Sequence, residues 1–425
     1  MNYNDTIAYI HSLERFGIKP GLERISALCE KIGNPQNHLR FIHVAGTNGK
    51  GSACTMIAEV LKCAGYKTGL YTSPYVTDFR ERIQINSEMI SKRDLISCVG
   101  AVKTACEKYD IQATEFEFIT AAALLYFYRS KCDAVVLEVG LGGRFDATNI
   151  IPSPSVAVIM HIAKDHTAVL GNTVAEIAFE KCGIIKPGCK VVSYPLQEKE
   201  ALEVIENTCK SNSCSLIIPH TDKLRITGAS LKGTGVKYGD LSYSLRLPGE
   251  HIVYNSIAAV EAVRAFDCSI RDDVIEKGLS DTVMPARMEI ISDNPAVILD
   301  GGHNEDCAVS LEKFVKSYLG DKNITVVSSI MQDKDYNSYL KHIASLARRF
   351  IAVKADVPRA LDCETLAKAA SAYCNNCIFD YETENAVLSA AESAGENDAV
   401  IICGSFYLAG EIRSALLKKF KGDRK

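Results

Sequence analysis

Short, wholly apolar runs recur along the chain, separated by segments with apolar residues at helical spacing. Phe41–Ala45 (FIHVA) reads as a strand entering a glycine-rich turn, residues 54–64 have helical spacing, and Thr68–Tyr71 is strand-like. Residues 134–139 (AVVLEV) and 156–160 (VAVIM) are continuous apolar runs of strand length. Runs without alternation mark strands buried on both faces, as in a parallel sheet covered by helices. The loop between them, LGGRFDATNIIPSPS, is polar and closed by two prolines. From about Ser211 to Arg246 the pattern changes to short alternating segments with glycine-rich turns, which predicts antiparallel hairpins. A second α/β series follows, with strands at 296–300, 324–330, 350–355, 377–380 and 399–404 and helices that include 306–319 and 409–419. No repeat or low-complexity segment interrupts it. The expected organisation is two unequal α/β domains, 1–282 and 283–425, with a cleft between them.

Composition narrows the function. The chain has 425 residues, 47% hydrophobic and 24% charged, enough for a large core. Its net charge of −4, from 48 basic and 52 acidic residues, argues against a broad nucleic-acid surface but not against a local anion pocket. The start lacks a basic segment followed by an apolar core, and the most apolar stretch, 119–128, is too short to span a bilayer. A cytoplasmic, monomeric protein without nucleic-acid or membrane partners is expected. The sixteen cysteines have no framework spacing and read as reduced, mostly buried thiols. Cys374 and Cys377 form one C-x-x-C without a second pair, so a zinc or redox role is not indicated.

The strongest local signal is AGTNGKGS, residues 45–52, between a strand and a helix. Glycines let backbone N–H groups turn inward to cradle phosphate, and a helix N-terminus adds partial positive charge. Lys50 can reach phosphate oxygens, and the Ser52 hydroxyl can reach phosphate or Mg²⁺. The spacing departs from the usual P-loop, because only Thr47 and Asn48 separate the first two glycines and Gly51 precedes Ser52. A bare glycine-rich turn is the alternative. The expected fold class is α/β, with the phosphate-type loop on a mostly parallel sheet and a second, smaller α/β domain after it.

Glu138 ends an apolar run, where an open α/β sheet binds ligands, and a Mg²⁺ role is natural for it; a strand-end carboxylate facing water is the bland reading. His166, in HIAKDH, follows another strand, as Ser73 does. Oxygen donors with one imidazole suit Mg²⁺ or Mn²⁺ better than zinc. Lys181 alone reads as a solvated helix lysine.

Nine motifs in order carry a resemblance: AGTNGKGS (45–52), YTSPYVTDFRERI (71–83), TEFEFITA (114–121), EVGLGGRFDATN (138–149), DHTAVLGNT (165–173), EKCGIIKPG (180–188), LPGEHIVYNSIAA (247–259), PARMEI (285–290) and DGGHN (300–304). Together they resemble the folylpolyglutamate synthase and dihydrofolate synthase branch of the Mur ligases, from KPGLERI (19–25) to FYLAGEIR (406–413). The resemblance implies a two-domain ATP-dependent ligase, α/β throughout, with a P-loop-type ATP-binding domain on a mostly parallel sheet and a smaller Rossmann-like C-terminal domain, joining L-glutamate to a folate or dihydropteroate carboxylate through an acyl phosphate. It implies ATP on Thr47, Asn48, Gly49, Lys50, Gly51 and Ser52, with Asn255, Arg287 and Asp300 at the adenosine end. It implies two Mg²⁺ ions on Ser73, Glu138 and His166, with Lys181 carbamylated by CO₂ helping to hold the second. For the pterin it implies Gly21, Leu22, Glu23, Arg24, Thr114, Glu115, Phe116, Glu117, Phe145, Asp146 and Ala147. It implies that His303 orients incoming groups.

The chain also departs from that pattern. Gly302 and Glu305 stand where the family more often has alanine and proline, and Lys164 where an apolar residue is common. TEFEFITA resembles members that extend tetrahydrofolates, whereas DATN occurs in bifunctional members, so polyglutamylation is favoured and dihydrofolate synthesis stays open. The rival classes are a P-loop kinase or ATPase acting on another small carboxylate, a non-catalytic nucleotide-binding module, and a ligase of cell-wall precursors.

Overall fold

A computed structural model describes residues 1–13, 17 and 20–422; Lys19 of the KPGLERI motif lies outside them. Eight strands form the first sheet: β1 (Phe41–Ala45), β2 (Thr68–Tyr71), β3 (Ile83–Ile85), β4 (Glu88–Met89), β5 (Ala134–Glu138), β6 (Val156–Ile159), β7 (Lys190–Ser193) and β8 (Ser215–Ile217). Their order is β4-β3-β2-β5-β1-β6-β7-β8, parallel except for the β2-β3-β4 edge. Strands β1 and β5 are buried along their whole length, as continuous apolar runs require. Large apolar clusters cover both faces of the sheet.

The helix Lys50–Cys63 begins directly after the glycine-rich turn, four residues earlier than its apolar periodicity indicates. Gly51 and Ser52 carry no apolar signal, yet they are helical. The segment read as hairpins divides in two. The helix Lys199–Ser211 leads into β8, which pairs in parallel with β7, and only β9 (Leu224–Ser230), β10 (Gly233–Tyr238) and β11 (Leu241–Leu245) form an antiparallel sheet. Three residues of β8 are too few to distinguish an edge strand of a parallel sheet from a hairpin arm.

The C-terminal α/β domain holds six strands: β12 (Glu289–Asp293), β13 (Ala296–Leu299), β14 (Asn323–Ser328), β15 (Arg349–Ala352), β16 (Cys377–Phe379) and β17 (Asp398–Cys403). The order is β12-β13-β17-β14-β15-β16, and only β12 is antiparallel. Its core is separate from that of the large sheet.

The loops after β1, β2, β5 and β6 all leave the carboxyl edge of the large sheet, with β1 between β5 and β6. Ligands bind at this edge in open α/β sheets. The loop after β2 is tightly built: the Glu81 carboxylate accepts from the amides of Val76 (2.7 Å), Thr77 (3.0 Å) and Asp78 (2.9 Å). The helix Phe406–Lys421 packs so close to it that a Cβ on Gly410 would overlap the Val76 carbonyl oxygen. Gly410→Ala should therefore lower stability by about 1–3 kcal/mol, although alanine favours a helix interior. Urea unfolding followed by circular dichroism checks this, and an unchanged midpoint would contradict the packing.

Candidate active site

The phosphate loop follows from local chain chemistry. Gly49 has φ +82° and backs onto the Asn255 side chain, a conformation open to glycine, and Lys50 is the first residue of the helix that follows. The Lys50 ammonium donates to the carbonyls of Gly46 and Thr47, both at 3.0 Å. The Lys181 ammonium donates to the same Gly46 carbonyl at 2.8 Å, from the end of the helix Val174–Lys181. Lys181 is only 4% exposed, and desolvation, with Lys50 beside it, pulls its pKa down to about 7. It is no solvated surface lysine.

Glu138, at the end of β5, is buried and accepts from the Ser73 amide at 2.9 Å. Burial pushes its pKa up, while Lys50, the Ser73 amide and Arg287 favour the carboxylate. Gly51 leaves room for this convergence: a Cβ there would stand 3.2 Å from the Arg287 guanidinium and 3.6 Å from the Glu138 oxygens. Arg287 and Asn255 thus lie against the phosphate loop. Asp300 is buried and binds the amides of Met288 and Gly302, each at 2.8 Å, fixing the loops on either side of Arg287 and His303.

Two cavities meet here. One, about 620 Å³, is lined by residues 47–52, Ser73, Glu138, Asn255, Arg287, Asp300 and His303, with Tyr194, Tyr254, Phe314 and Tyr318 also in its wall. The other, about 880 Å³, is lined by Thr114–Glu117, Phe145–Ala147, His166, His303 and Lys334. Ser73, Pro74, His303 and Phe406 belong to both walls. Lys181 lines neither and sits behind Gly46. Among the described residues no three His, Cys, Asp or Glu cluster to hold a metal. The proposed metal set instead mixes a hydroxyl, a carboxylate, an imidazole and a lysine.

The second cavity is partly preoccupied. Thr114 and Glu117 cap the helix Glu115–Arg129: the Thr114 amide and hydroxyl donate to Glu117 Oε2 at 2.8 and 2.9 Å. Arg24 pairs with the same carboxylate at 3.0 Å. The T-x-x-E spacing is itself a capping-box signal. Of the N-terminal segment, Gly17 and Pro20 line the cavity, whereas Gly21, Leu22, Glu23 and Arg24 do not. Asp146 is buried and accepts from the amides of Leu141 (2.8 Å) and Thr148 (3.0 Å). Phe116 packs against Gly140, and Phe145 is 52% exposed.

Contacts between the domains involve residues that sequence reasoning missed. Asn48 donates to Asp306 at 2.6 Å, and Asp306 also meets His161 Nδ1 at 3.1 Å. Asn304 donates to Asn48 Oδ1 at 3.0 Å and to Asp165 at 3.3 Å. Lys334, almost fully buried, donates to Asp165 at 2.8 Å and lies 3.3 Å from His166 Nε2. Desolvation lowers the pKa of His166 against the pull of Asp165. It pulls the pKa of His303 down to about 4.

Residues 44–263 match the Mur ligase middle domain, and residues 286–406 match the Mur ligase glutamate ligase domain. The chain is 35% identical to the dihydrofolate synthase/folylpolyglutamate synthase of Bacillus subtilis, over 97% of this chain and 99% of the relative. It is 36% identical to the folylpolyglutamate synthase of Lacticaseibacillus casei, over 98% and 99%. The chain belongs to the folylpolyglutamate synthase/dihydrofolate synthase family. Its fold agrees with E. coli FolC in complex with DHPP and ADP, with TM-score 0.87, 28% identity and coverage of 97% and 98%. It also agrees with Mycobacterium tuberculosis folylpolyglutamate synthase complexed with ADP and AMPPCP, with TM-score 0.88, 28% identity and coverage of 98% and 99%. Both neighbouring structures hold an adenine nucleotide, and the family is one of ATP-dependent ligases.

The buried lysine of this family member gives a signed pH effect. Its native pKa lies below that of the unfolded chain, so the unfolded state binds more protons above pH 7 and stability rises with pH. Between pH 6.5 and 8.5 in CO₂-free buffer the wild type should gain about 2 kcal/mol relative to Lys181→Met. Urea unfolding at both values checks this. A constant difference would mean that the ammonium stays charged.

Proposed function

We propose that the chain adds L-glutamate to the glutamyl carboxylate of a tetrahydrofolate, as a folylpolyglutamate synthase, and that it also joins L-glutamate to dihydropteroate. The observation that carries this reading is the wall shared by the two cavities, Ser73, Pro74, His303 and Phe406. A triphosphate on residues 47–52 and a carboxylate in the larger cavity would meet there. Phe116 and Phe145 offer faces to a pterin, with Asp146 beside them. The boundary we assign between the nucleotide-binding and glutamate-ligase domains lies near residue 283. A cytoplasmic monomer suits the sixteen unpaired cysteines.

A carboxylate is a poor electrophile. In the reading proposed here one of its oxygens attacks the γ-phosphorus, the bond to ADP breaks, and an acyl phosphate forms. Lys50 and Arg287 neutralise charge on the phosphoryl oxygens. The neutral glutamate amine then attacks the carbonyl carbon, the bond from that carbon to the phosphorylated oxygen breaks, and inorganic phosphate leaves with the former carboxylate oxygen and the proton the amine gives up. His303, neutral at physiological pH, accepts a hydrogen bond from the incoming amine. The latch of Asn48, Asn304 and Asp306 keeps the domains together and water out.

Magnesium fits the residues present. The Ser73 hydroxyl and Glu138 carboxylate are hard oxygen donors in the nucleotide cavity wall, and the hydroxyl makes no hydrogen bond among the described residues. Bound there, Mg²⁺ would supply Lewis-acid stabilisation of phosphoryl charge, with His166 in the wall of the adjoining cavity. The depressed pKa of Lys181 leaves much of its amine neutral near pH 7, the form that adds CO₂. The carbamate would replace a buried cation with two anionic oxygen donors.

A substrate panel tests the reading: dihydropteroate, dihydrofolate, tetrahydrofolate and a one-carbon-substituted tetrahydrofolate, each with ATP, Mg²⁺ and L-glutamate. ADP release should require both glutamate and a pteroyl acceptor, at one ADP per amide, and Lys50→Ala should lower it about 10²–10³-fold. ADP release that ignores glutamate would overturn the reading in favour of a kinase or ATPase.

A further inference from the structure

The larger cavity has three cationic side chains in its wall, Arg82, Lys334 and Arg359. Two are already matched. Lys334 is held by Asp165 at 2.8 Å, and Arg359 lies 3.8 Å from Asp333 and over the Tyr407 ring. Arg82 has no carboxylate partner among the described residues, and its Nε–H is buried without any hydrogen-bond acceptor. The guanidinium carbon lies 5.2 Å from the centre of the Tyr75 ring and 5.5 Å from that of Phe79, contacts that hold the group in place but satisfy none of its N–H groups. The terminal N–H groups likewise make no hydrogen bond among the described residues, so a charged fork in the cavity wall is left with its donors unmatched, and this points to a ligand that supplies the acceptor.

Arg82 also stands at the right place. The turn Phe79–Arg82 ends there, and the Arg82 carbonyl accepts from the Thr72 amide at 3.1 Å, one residue before Ser73 of the shared wall. The next residue, Ile83, pairs with Tyr71 at the end of β2. Arg82 is therefore anchored to the strand end that delivers Ser73, on the acceptor side of the junction. Its charge also reaches the Glu138 carboxylate across that junction.

We propose that Arg82 binds the acceptor carboxylate that becomes activated, presenting a bidentate guanidinium to it while the attacking oxygen faces the nucleotide cavity. This rests on the ligase reading above and names the residue that selects and aims its substrate. A planar fork suits a carboxylate better than the point charge of lysine. The same carboxylate is the reacting group in dihydropteroate and in a glutamylated folate, so both acceptors depend on Arg82.

The test compares dihydropteroate with its carboxamide, without nucleotide, by calorimetry on the full chain. Wild type should prefer the carboxylate by about tenfold or more, Arg82→Gln should bind the two within about twofold, and Arg82→Lys should keep part of the preference. In turnover, Arg82→Gln should raise KM for both dihydropteroate and tetrahydrofolate about tenfold and leave KM for ATP nearly unchanged. That unchanged ATP value also shows the variant to be folded. Undiminished carboxylate preference in Arg82→Gln would overturn the proposal, and so would a KM effect confined to the glutamylated acceptor. Failure of the ligase reading itself would show separately, as wild-type protein that forms no amide.

Discussion

Two ammonium groups converge on one backbone carbonyl. Lys50 and Lys181 both donate to the oxygen of Gly46, and Arg287 stands across Gly51 from them. Glu138 is the buried carboxylate beside them, and Ser73 takes one of its oxygens. Such an arrangement carries surplus positive charge where water is scarce and attraction is strong. In the function proposed above a polyphosphate would supply the missing negative charge, and the lowered pKa of Lys181 would relieve the rest. The protein is mildly acidic overall, so this charge is made locally by strand ends and one tight turn.

The geometry that holds those charges comes from both domains. Asn48 belongs to the phosphate loop, yet its side chain is held by Asn304 and Asp306. Asp165 follows the end of β6, yet Lys334 of the C-terminal domain pairs with it; burial alone would raise its pKa, and the charges of His166 and Lys334 lower it instead. Gly410 allows the C-terminal helix to press on the loop that carries Ser73. Both cavities therefore take their walls from the two domains together. This is the geometry expected of a ligase that must shield a reactive acyl group from water.

Much of this was legible in the chain. Strands β1, β5 and β6 are continuous apolar runs, and the groups that follow them, Lys50, Glu138 and His166, inherit their position from strand ends. What lay hidden depends on distant partners. Nothing in MQDKD marks Lys334 as the residue that reaches Asp165, 169 positions away, and Asn304 meets Asn48 across 256. Lys181 looked like an ordinary helix residue because burial is a tertiary property. Thr114 and Glu117 illustrate the converse: their spacing advertises a ligand motif and a helix cap alike, and in the structure they bind each other. Arg82 lay inside a quoted motif, but only an unsatisfied Nε–H in a cavity wall singles it out.

The account stands or falls on whether phosphate crosses the wall formed by Ser73, Pro74, His303 and Phe406. The direct measurement uses an acceptor whose reacting carboxylate carries ¹⁸O in both oxygens, with mass analysis of the released phosphate. One ¹⁸O atom should appear in phosphate for each amide formed, because the carboxylate oxygen that attacked phosphorus leaves with it. Phosphate free of label, with amide still produced, would contradict the account.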